Sequence, residues 1–221
     1  MLSTPIATPI AESPTIRRER RKEARPGELL AAALDLFVEK GFAATRSEEV
    51  AQRAGVSKGT LFLYFPTKED LFKAVVRENI SGKVTEGFEE LQKFTGTSAE
   101  LIRYLMTTWW QRFGSTKASG LTKLMMSEAT NFPELASFYH AEVIEPNHRL
   151  IRSVVQRGID SGEFRAVDAD YAVYSVLTPL IYLITWKHSM GCCVGNHQQI
   201  DPERYLNVQA DMVVHGLLRP A

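Results

Sequence analysis

Apolar positions recur at helical spacing along most of this chain, and no stretch alternates apolar and polar residues for long enough to predict a strand. Between residues 26 and 40, Leu29, Leu30, Ala33, Leu34, Phe37 and Val38 share one broad face. Pro26 suits a first helical turn, where its missing N–H costs nothing, and Gly41 is a glycine stop. A helix is therefore predicted over Pro26–Lys40. Thr45-x-x-Glu48 reads as a capping box opening a short second helix that ends at Gly55. Ser57 caps a third helix running to about Phe65. Pro66 closes it, and Thr67 caps a fourth that begins Lys68-Glu69-Asp70-Leu71-Phe72.

Beyond residue 80 the predicted helices lengthen. They run over Ser98–Phe113, Gly120–Thr130, Pro133–Asp160 with a bend at Pro146, Asp168–Met190 and Asp201–Leu218. Ser98, Asp168 and Asp201 serve as caps, and Gly114 and Gly162 as stops. Residues 1–16 hold three prolines and little periodicity and read as a disordered tail. The expected class is all-α.

Composition adds little until it is divided. The 221 residues are 44% apolar, enough for a real core, and carry no formal net charge. Yet residues 17–25 place six basic and two acidic side chains in nine positions. Affinity for DNA depends on where phosphates are neutralised rather than on overall charge, so a neutral chain can still be a DNA binder. A charged run is more often a solvated face, so this one needs company. Two cysteines stand side by side at Cys192 and Cys193, where an ordinary disulfide cannot close and no zinc spacing exists. They read as buried or partly exposed thiols in a reducing compartment. His140, His148, His188, His197 and His215 form no metal-binding pattern, and no metal or cofactor is expected. The start of the chain does not resemble a signal peptide, and the longest uncharged stretch, Tyr171 to Trp186, carries Pro179 and is too short for a bilayer. A cytoplasmic protein without membrane contact is the expectation.

The informative segment is Val50-Ala51-Gln52-Arg53-Ala54-Gly55-Val56-Ser57-Lys58-Gly59-Thr60-Leu61-Phe62, a helix-turn-helix pattern. Ala51 is small where two helices cross closely, and Gly55 can adopt the left-handed conformation of a tight turn. Val50, Val56 and Leu61 form an apolar wedge that fixes the interhelical angle. The opposite face of the third helix is then free for a major groove.

With Leu34-Asp35-Leu36-Phe37-Val38-Glu39-Lys40-Gly41-Phe42 before it and Tyr64-Phe65-Pro66-Thr67-Lys68-Glu69-Asp70-Leu71-Phe72 after it, the segment resembles the N-terminal domain of the TetR family of bacterial regulators. The resemblance covers about residues 23–83. It implies a basic arm at 1–22, a three-helix DNA-binding domain at 23–83, and a helical bundle at 84–221 for ligand binding and dimerisation. It also implies a homodimer reading a palindromic double-stranded operator, released when a small molecule binds. Carried over, it puts Thr45, Arg46 and Ser47 near a phosphate at the start of helix two, and Ser57, Lys58, Gly59 and Thr60 at the opening of the recognition helix. Lys58 and Thr60 would reach base edges or phosphate, Tyr64 would donate to a phosphate, and Lys68 would add charge at a helix N-terminus. The basic run at 17–25 would lie against the DNA backbone. Two positions depart from the family. Phe62 stands where tyrosine is common, which removes a hydroxyl from the DNA-binding set, and Ser47 replaces an aliphatic residue.

The bundle is less explicit. Leu101, Ile102, Leu105, Met106, Trp109, Trp110 and Phe113 are too many apolar residues for one narrow stripe, and the helix at 168–190 is apolar almost all round. The resemblance implies dimerisation through the last two long helices, which would account for the excess, with Leu206, Ala210, Val213 and Leu217 as a matching stripe on the final helix. Met106, Trp109, Trp110, Phe113, Met125, Met126, Phe138, Tyr174 and Tyr182 are candidates to line a pocket for a small apolar or aromatic effector. Taken singly, each is as well explained as core. Ser127-Glu128-Ala129-Thr130-Asn131-Phe132-Pro133-Glu134-Leu135 further resembles the C-terminal domain of a TetR subgroup that often controls efflux or envelope genes. Two other functions compete with a ligand-released repressor. One is a DNA-binding dimer without a small-molecule ligand, and the other an enzyme using the bundle. No nucleophile triad, phosphate loop or paired carboxylates favour the enzyme.

Overall fold

A computed structural model describes residues 14–195 and 199–220, of which residues 14–24 are described by their backbone alone. Among them the chain is built of eleven α-helices and short 3-10 and π turns, with a single isolated bridge between Phe164 and Leu218. The helices are α1 Pro14–Lys40, α2 Ser47–Arg53, α3 Lys58–Tyr64, α4 Lys68–Val76, α5 Gly82–Lys93, α6 Ser98–Trp109, α7 Gly120–Glu128, α8 Pro133–Tyr139, α9 Glu145–Asp160, α10 Ala169–Lys187 and α11 Pro202–Leu217.

Helix α1 begins at Pro14 rather than Pro26, so residues 14–22 of the expected disordered arm have helical backbone. Residues 1–13 of that arm, the basic side chains up to Lys22, and His197 lie outside the described residues. Gly41 ends α1 at φ +85, as a left-handed stop requires. Two caps move by one residue. Arg46 rather than Thr45 is the N-cap of α2, its N–H donating to the Glu49 carboxylate at 3.3 Å. Thr97 rather than Ser98 caps α6, in a reciprocal box with Glu100. Ser57, Thr67, Asp168 and Asp201 cap their helices as expected.

Helices α4 and α5 run into one another through a π turn at Arg77–Ser81, so the boundary placed at residue 83 falls inside continuous helix. Another π turn, His140–Ile144, joins α8 to α9 just before Pro146. Proline has no N–H to continue the ladder, and a π turn is one way for a helix to absorb that defect and bend.

Two cores divide the bundle. The first joins α1–α4 with Leu121, Leu124 and Met125 of α7 and Leu135 and Tyr139 of α8. The second packs α6 and α9 against α10 and α11. Trp109 touches both. Helices α1–α4 therefore share a core with the bundle. Leu206, Ala210 and Leu217 are buried in the second core of their own chain, with Val213 packed against it. The apolar residues that α10 and α11 leave exposed are Tyr171, Tyr174, Tyr182, Val208 and Met212.

Candidate DNA-reading surface and effector chamber

Val50 and Leu61 are wholly buried, Ala51 nearly so, and Val56 packs beside them, so the predicted wedge holds α2 against α3. Gly55 supplies the turn at φ +66, and the Val56 N–H reaches the Ala51 carbonyl at 2.9 Å. The Ser57 hydroxyl accepts from the Thr60 N–H at 3.1 Å and shares a hydrogen bond with the Thr60 hydroxyl at 2.9 Å. Ser57, Lys58 and Gly59 are exposed at the opening of α3, with Thr60 and Phe62 half-buried. Lys58 pairs with Glu48 of α2 and lies over the Phe62 ring at 5.6 Å. Exposed ion pairs of this kind hold weakly, so Lys58 can exchange Glu48 for phosphate. Arg46 is exposed and Ser47 half-buried at the start of α2. Tyr64 packs against the first core.

Leu63, which the sequence reading passed over, is the most exposed large apolar residue of the described chain at 79%. Its signal was available: an aliphatic side chain on the helix face opposite the Leu61 wedge.

Two predicted contacts are redirected. Thr45 is buried, and its hydroxyl donates to the carbonyls of Gly41 at 2.7 Å and Leu36 at 3.2 Å, which removes its side chain from any phosphate. The Lys68 ammonium donates inward to the carbonyls of Phe42 at 2.9 Å, Thr45 at 3.1 Å and Ala43 at 3.4 Å. It also lies 4.4 Å from the centre of the Phe42 ring. These carbonyls lie in the loop after α1, outside any helix ladder, and a cation is a natural group to satisfy them. Lys68 acts here as a clamp on the loop.

The same loop is gripped from the bundle. Glu128, the last residue of α7, accepts from the N–H groups of Phe42 at 2.8 Å and Ala43 at 3.1 Å. The Phe42 ring meets Phe37, Phe72 and Phe132 with centroids 5.6, 5.5 and 4.8 Å away. Phe42 is thus held by backbone, ring and cation together, with Glu128 and Phe132 reaching it from the bundle.

Where the two cores meet lies a chamber of about 470 Å³. Of the predicted pocket residues, Trp109, Phe113, Met125, Met126 and Tyr174 line it. Met106 lines a smaller adjoining cavity of about 80 Å³. Trp110, Phe138 and Tyr182 line neither. Trp110 joins the second core beneath Lys187, Phe138 lies under Lys73 and Arg77, and Tyr182 sits half-exposed beside Tyr205 and Trp186. The sequence reading missed Tyr139, Asn147, His148, Leu177 and Thr178 on the chamber wall. Periodicity marks which residues are apolar, while the wall is set by which helices converge.

No Asp, Glu, Lys or Arg lines the chamber. Its polar groups are mostly spoken for. The Tyr139 hydroxyl bonds Thr122 at 2.9 Å, and burial pushes its pKa up to about 12. Asn147 donates to the Val143 carbonyl at 2.7 Å, and His148 meets the Tyr174 ring edge-on at 5.1 Å. Burial, with His140 nearby, lowers the His148 pKa and favours the neutral ring. Such a wall favours an uncharged, largely apolar guest, since a buried charge without a partner is costly.

A serine–histidine pair does occur elsewhere. Ser119 bonds His188 at 2.8 Å, but its buried hydroxyl is also committed to the carbonyls of Thr116 at 2.8 Å and Gly114 at 2.9 Å. It fastens the start of α7 to the end of α10 and leaves no opening for a substrate.

Comparison with known proteins agrees with this arrangement. Residues 29–75 match the sequence model of bacterial regulatory proteins of the tetR family, and residues 95–190 match that of the tetracyclin repressor-like C-terminal domain. The HTH-type transcriptional regulator RutR of Escherichia coli (strain K12) is 48% identical over 64 residues, a match covering 29% of this chain and 30% of that regulator's length. The fatty acid metabolism regulator protein of Bacillus subtilis (strain 168) is 24% identical over 200 residues, covering 89% of this chain and 98% of that one. The crystal structure of the transcriptional regulator FadR from Bacillus subtilis in complex with stearoyl-CoA superposes with a TM-score of 0.68 at 20% identity, over 86% of this chain and 98% of that one. With a helix-turn-helix matched at one end and a regulator bundle at the other, the chain belongs to the TetR family of bacterial regulatory proteins.

Proposed function

We propose that this chain is a homodimeric DNA-binding repressor, and not an enzyme, that leaves a palindromic operator when an apolar effector enters the chamber. One observation carries the reading: α7 supplies Met125 and Met126 to the chamber wall and, at its end, Glu128 to the loop in front of the reading helices. A guest that displaces α7 moves the grip on Phe42 directly.

On the DNA side, Arg46 and Ser47 neutralise or bond phosphate, and Lys58 and Thr60 meet base edges. Gly59 allows close approach, Tyr64 meets the backbone, and Leu63 offers apolar surface to a thymine methyl. The expected backbone contact of residues 17–25 is kept as part of this proposal. Dimerisation uses the outward faces of α10 and α11, where Tyr171, Tyr182, Val208 and Met212 are exposed. Among the described residues no helix is long and apolar enough to cross a membrane.

The effector class proposed is a long acyl chain. The chamber wall without charges fits such a body, and the solved FadR relative was crystallised with stearoyl-CoA. The test is a gel shift on the DNA upstream of the protein's own gene, with stearoyl-CoA and an aromatic panel as probes. Protection of two half-sites related by a dyad, and release by the acyl compound, are expected. Ala136→Trp, which fills the chamber, is expected to bind the operator and ignore the effector. Operator binding indifferent to every probe would favour the dimer that works without a ligand.

A further inference from the structure

Cys192 and Cys193 take no part in the surfaces described above. They close the 3-10 turn Met190–Cys193 that follows α10, both exposed, with their sulfurs 3.5 Å apart. Free cysteine is among the most buried residue types, and its reactivity more often than its packing explains where it is placed. Two thiols held out in water gain nothing from packing.

The turn beneath them is held firmly. Gly191 is buried against Trp186, so closely that a Cβ would come within 2.8 Å of the Trp186 carbonyl oxygen. Gln199 donates from across the turn to the carbonyls of Gly191 at 2.6 Å and Val194 at 3.2 Å. The Cys192 thiol donates to the Ser189 carbonyl at 2.7 Å, and the Cys193 sulfur lies 3.8 Å from the same oxygen. Both sulfurs therefore point to one side of an anchored turn.

What can bridge them follows from spacing. A direct disulfide asks for Cα atoms at least about 4.4 Å apart, while neighbouring Cα atoms are about 3.8 Å apart. A tetrahedral cation with metal–sulfur bonds of about 2.3 Å spans sulfurs at about 3.8 Å and needs four ligands. Among the described residues no group of three His, Cys, Asp or Glu side chains is placed to hold a metal. A pyramidal trivalent centre with one organic substituent needs only two sulfurs. Its bond angles, nearer a right angle than a tetrahedral centre's, also bring those sulfurs closer together.

We propose that Cys192 and Cys193 form a bidentate capture site for trivalent arsenicals that carry one organic group. The hydrated arsenical, R–As(OH)2, condenses with both thiols. Two As–S bonds form, two As–O and two S–H bonds break, and two water molecules leave with the thiol protons. Arsenic stays trivalent, so no oxidant or reductant enters. Its hydrogen bond to the Cys192 sulfur raises the pKa of the Cys193 thiol above the ordinary value, and condensation from the protonated form suits that state.

The test uses the full chain and phenylarsine oxide, read by intact mass and by competition with thiols. The sequence holds two cysteines, so every adduct is assignable. One arsenical per chain is expected, retained against excess 2-mercaptoethanol and removed by 2,3-dimercaptopropanol. Cys192→Ser and Cys193→Ser, each checked for an unchanged circular dichroism spectrum, should bind about 10²–10⁴-fold more weakly through loss of the second tether. Capture by either serine variant as tight as by the native chain would overturn the proposal. So would an arsenical linking two chains, or no adduct on the folded protein.

Discussion

Replacing Lys68 by alanine separates two roles that this lysine can have at a helix-turn-helix. As a phosphate ligand, its loss would leave the fold intact and weaken binding to all DNA. As the clamp seen here, its loss orphans the carbonyls of Phe42, Ala43 and Thr45 and removes a cation from the Phe42 ring. Hydrogen bonds to a charged donor contribute about 1.5–3 kcal/mol in favourable cases, and a cation–π contact about 0.5–1 kcal/mol at exposed sites. The loop is half-open to water, which rehydrates part of what is lost, so a net cost of about 2 kcal/mol is expected. For a chain of this size that lowers Tm by roughly 4–8 °C. Thermal unfolding followed by circular dichroism reads the first quantity. The dependence of operator affinity on salt concentration, measured well below Tm, reads the second. The clamp predicts a lower Tm and an unchanged salt slope. An unchanged Tm, with the slope shallower by about 0.9 per protomer, would refute the reasoning and restore Lys68 to the phosphate set.

Other outcomes follow from the same geometry. Thr60→Ala is expected to cost about 1–3 kcal/mol of operator discrimination and to spare non-specific binding, measured against scrambled DNA. Equal losses on both DNAs would remove Thr60 from the reading surface. Glu128→Gln keeps one acceptor oxygen for two N–H groups and should cost about 1–2 kcal/mol while blunting release by the effector. A full effector response with unchanged melting would show that α7 does not transmit through Glu128. Burial, with Lys187 and Lys123 nearby, pushes the His188 pKa down to about 4. An unfolded histidine titrates near 6.5, so folding favours the neutral ring. This contribution is complete above about pH 6.5 and is lost as pH falls from there toward 4, because only the unfolded chain takes up the proton. His188→Gln should therefore show a flatter fall of Tm over that window than the native chain, and parallel curves would exclude His188 as its source.

Much of the reading head was legible because its rules are local. Gly55 needs a left-handed turn, Ser57 needs to cap, and Val50 and Leu61 need to be buried within a few residues of one another. Cap positions slipped by one where two candidates compete. Thr45 looked like the cap of α2, but its hydroxyl pairs with carbonyls at the end of α1, and Arg46 takes the position. In the bundle, Trp109 and Trp110 are indistinguishable in type. One faces the chamber and the other the second core, because a helix turns about 100° between neighbours.

By itself, the sequence determined the all-helical class, most of the helices in their order though not α5, the turn and wedge of the reading head, and the apolar character of the bundle. Each is dictated by spacing within one or two turns of helix. The tertiary structure alone decided that Lys68 faces inward, that Glu128 holds a loop 85 and 86 residues earlier in the chain, and that Leu206, Ala210 and Leu217 serve their own core. It also decided which apolar side chains surround empty space. Those facts depend on how helices distant in sequence converge, and helical periodicity gives a residue's face without naming the neighbour that meets it.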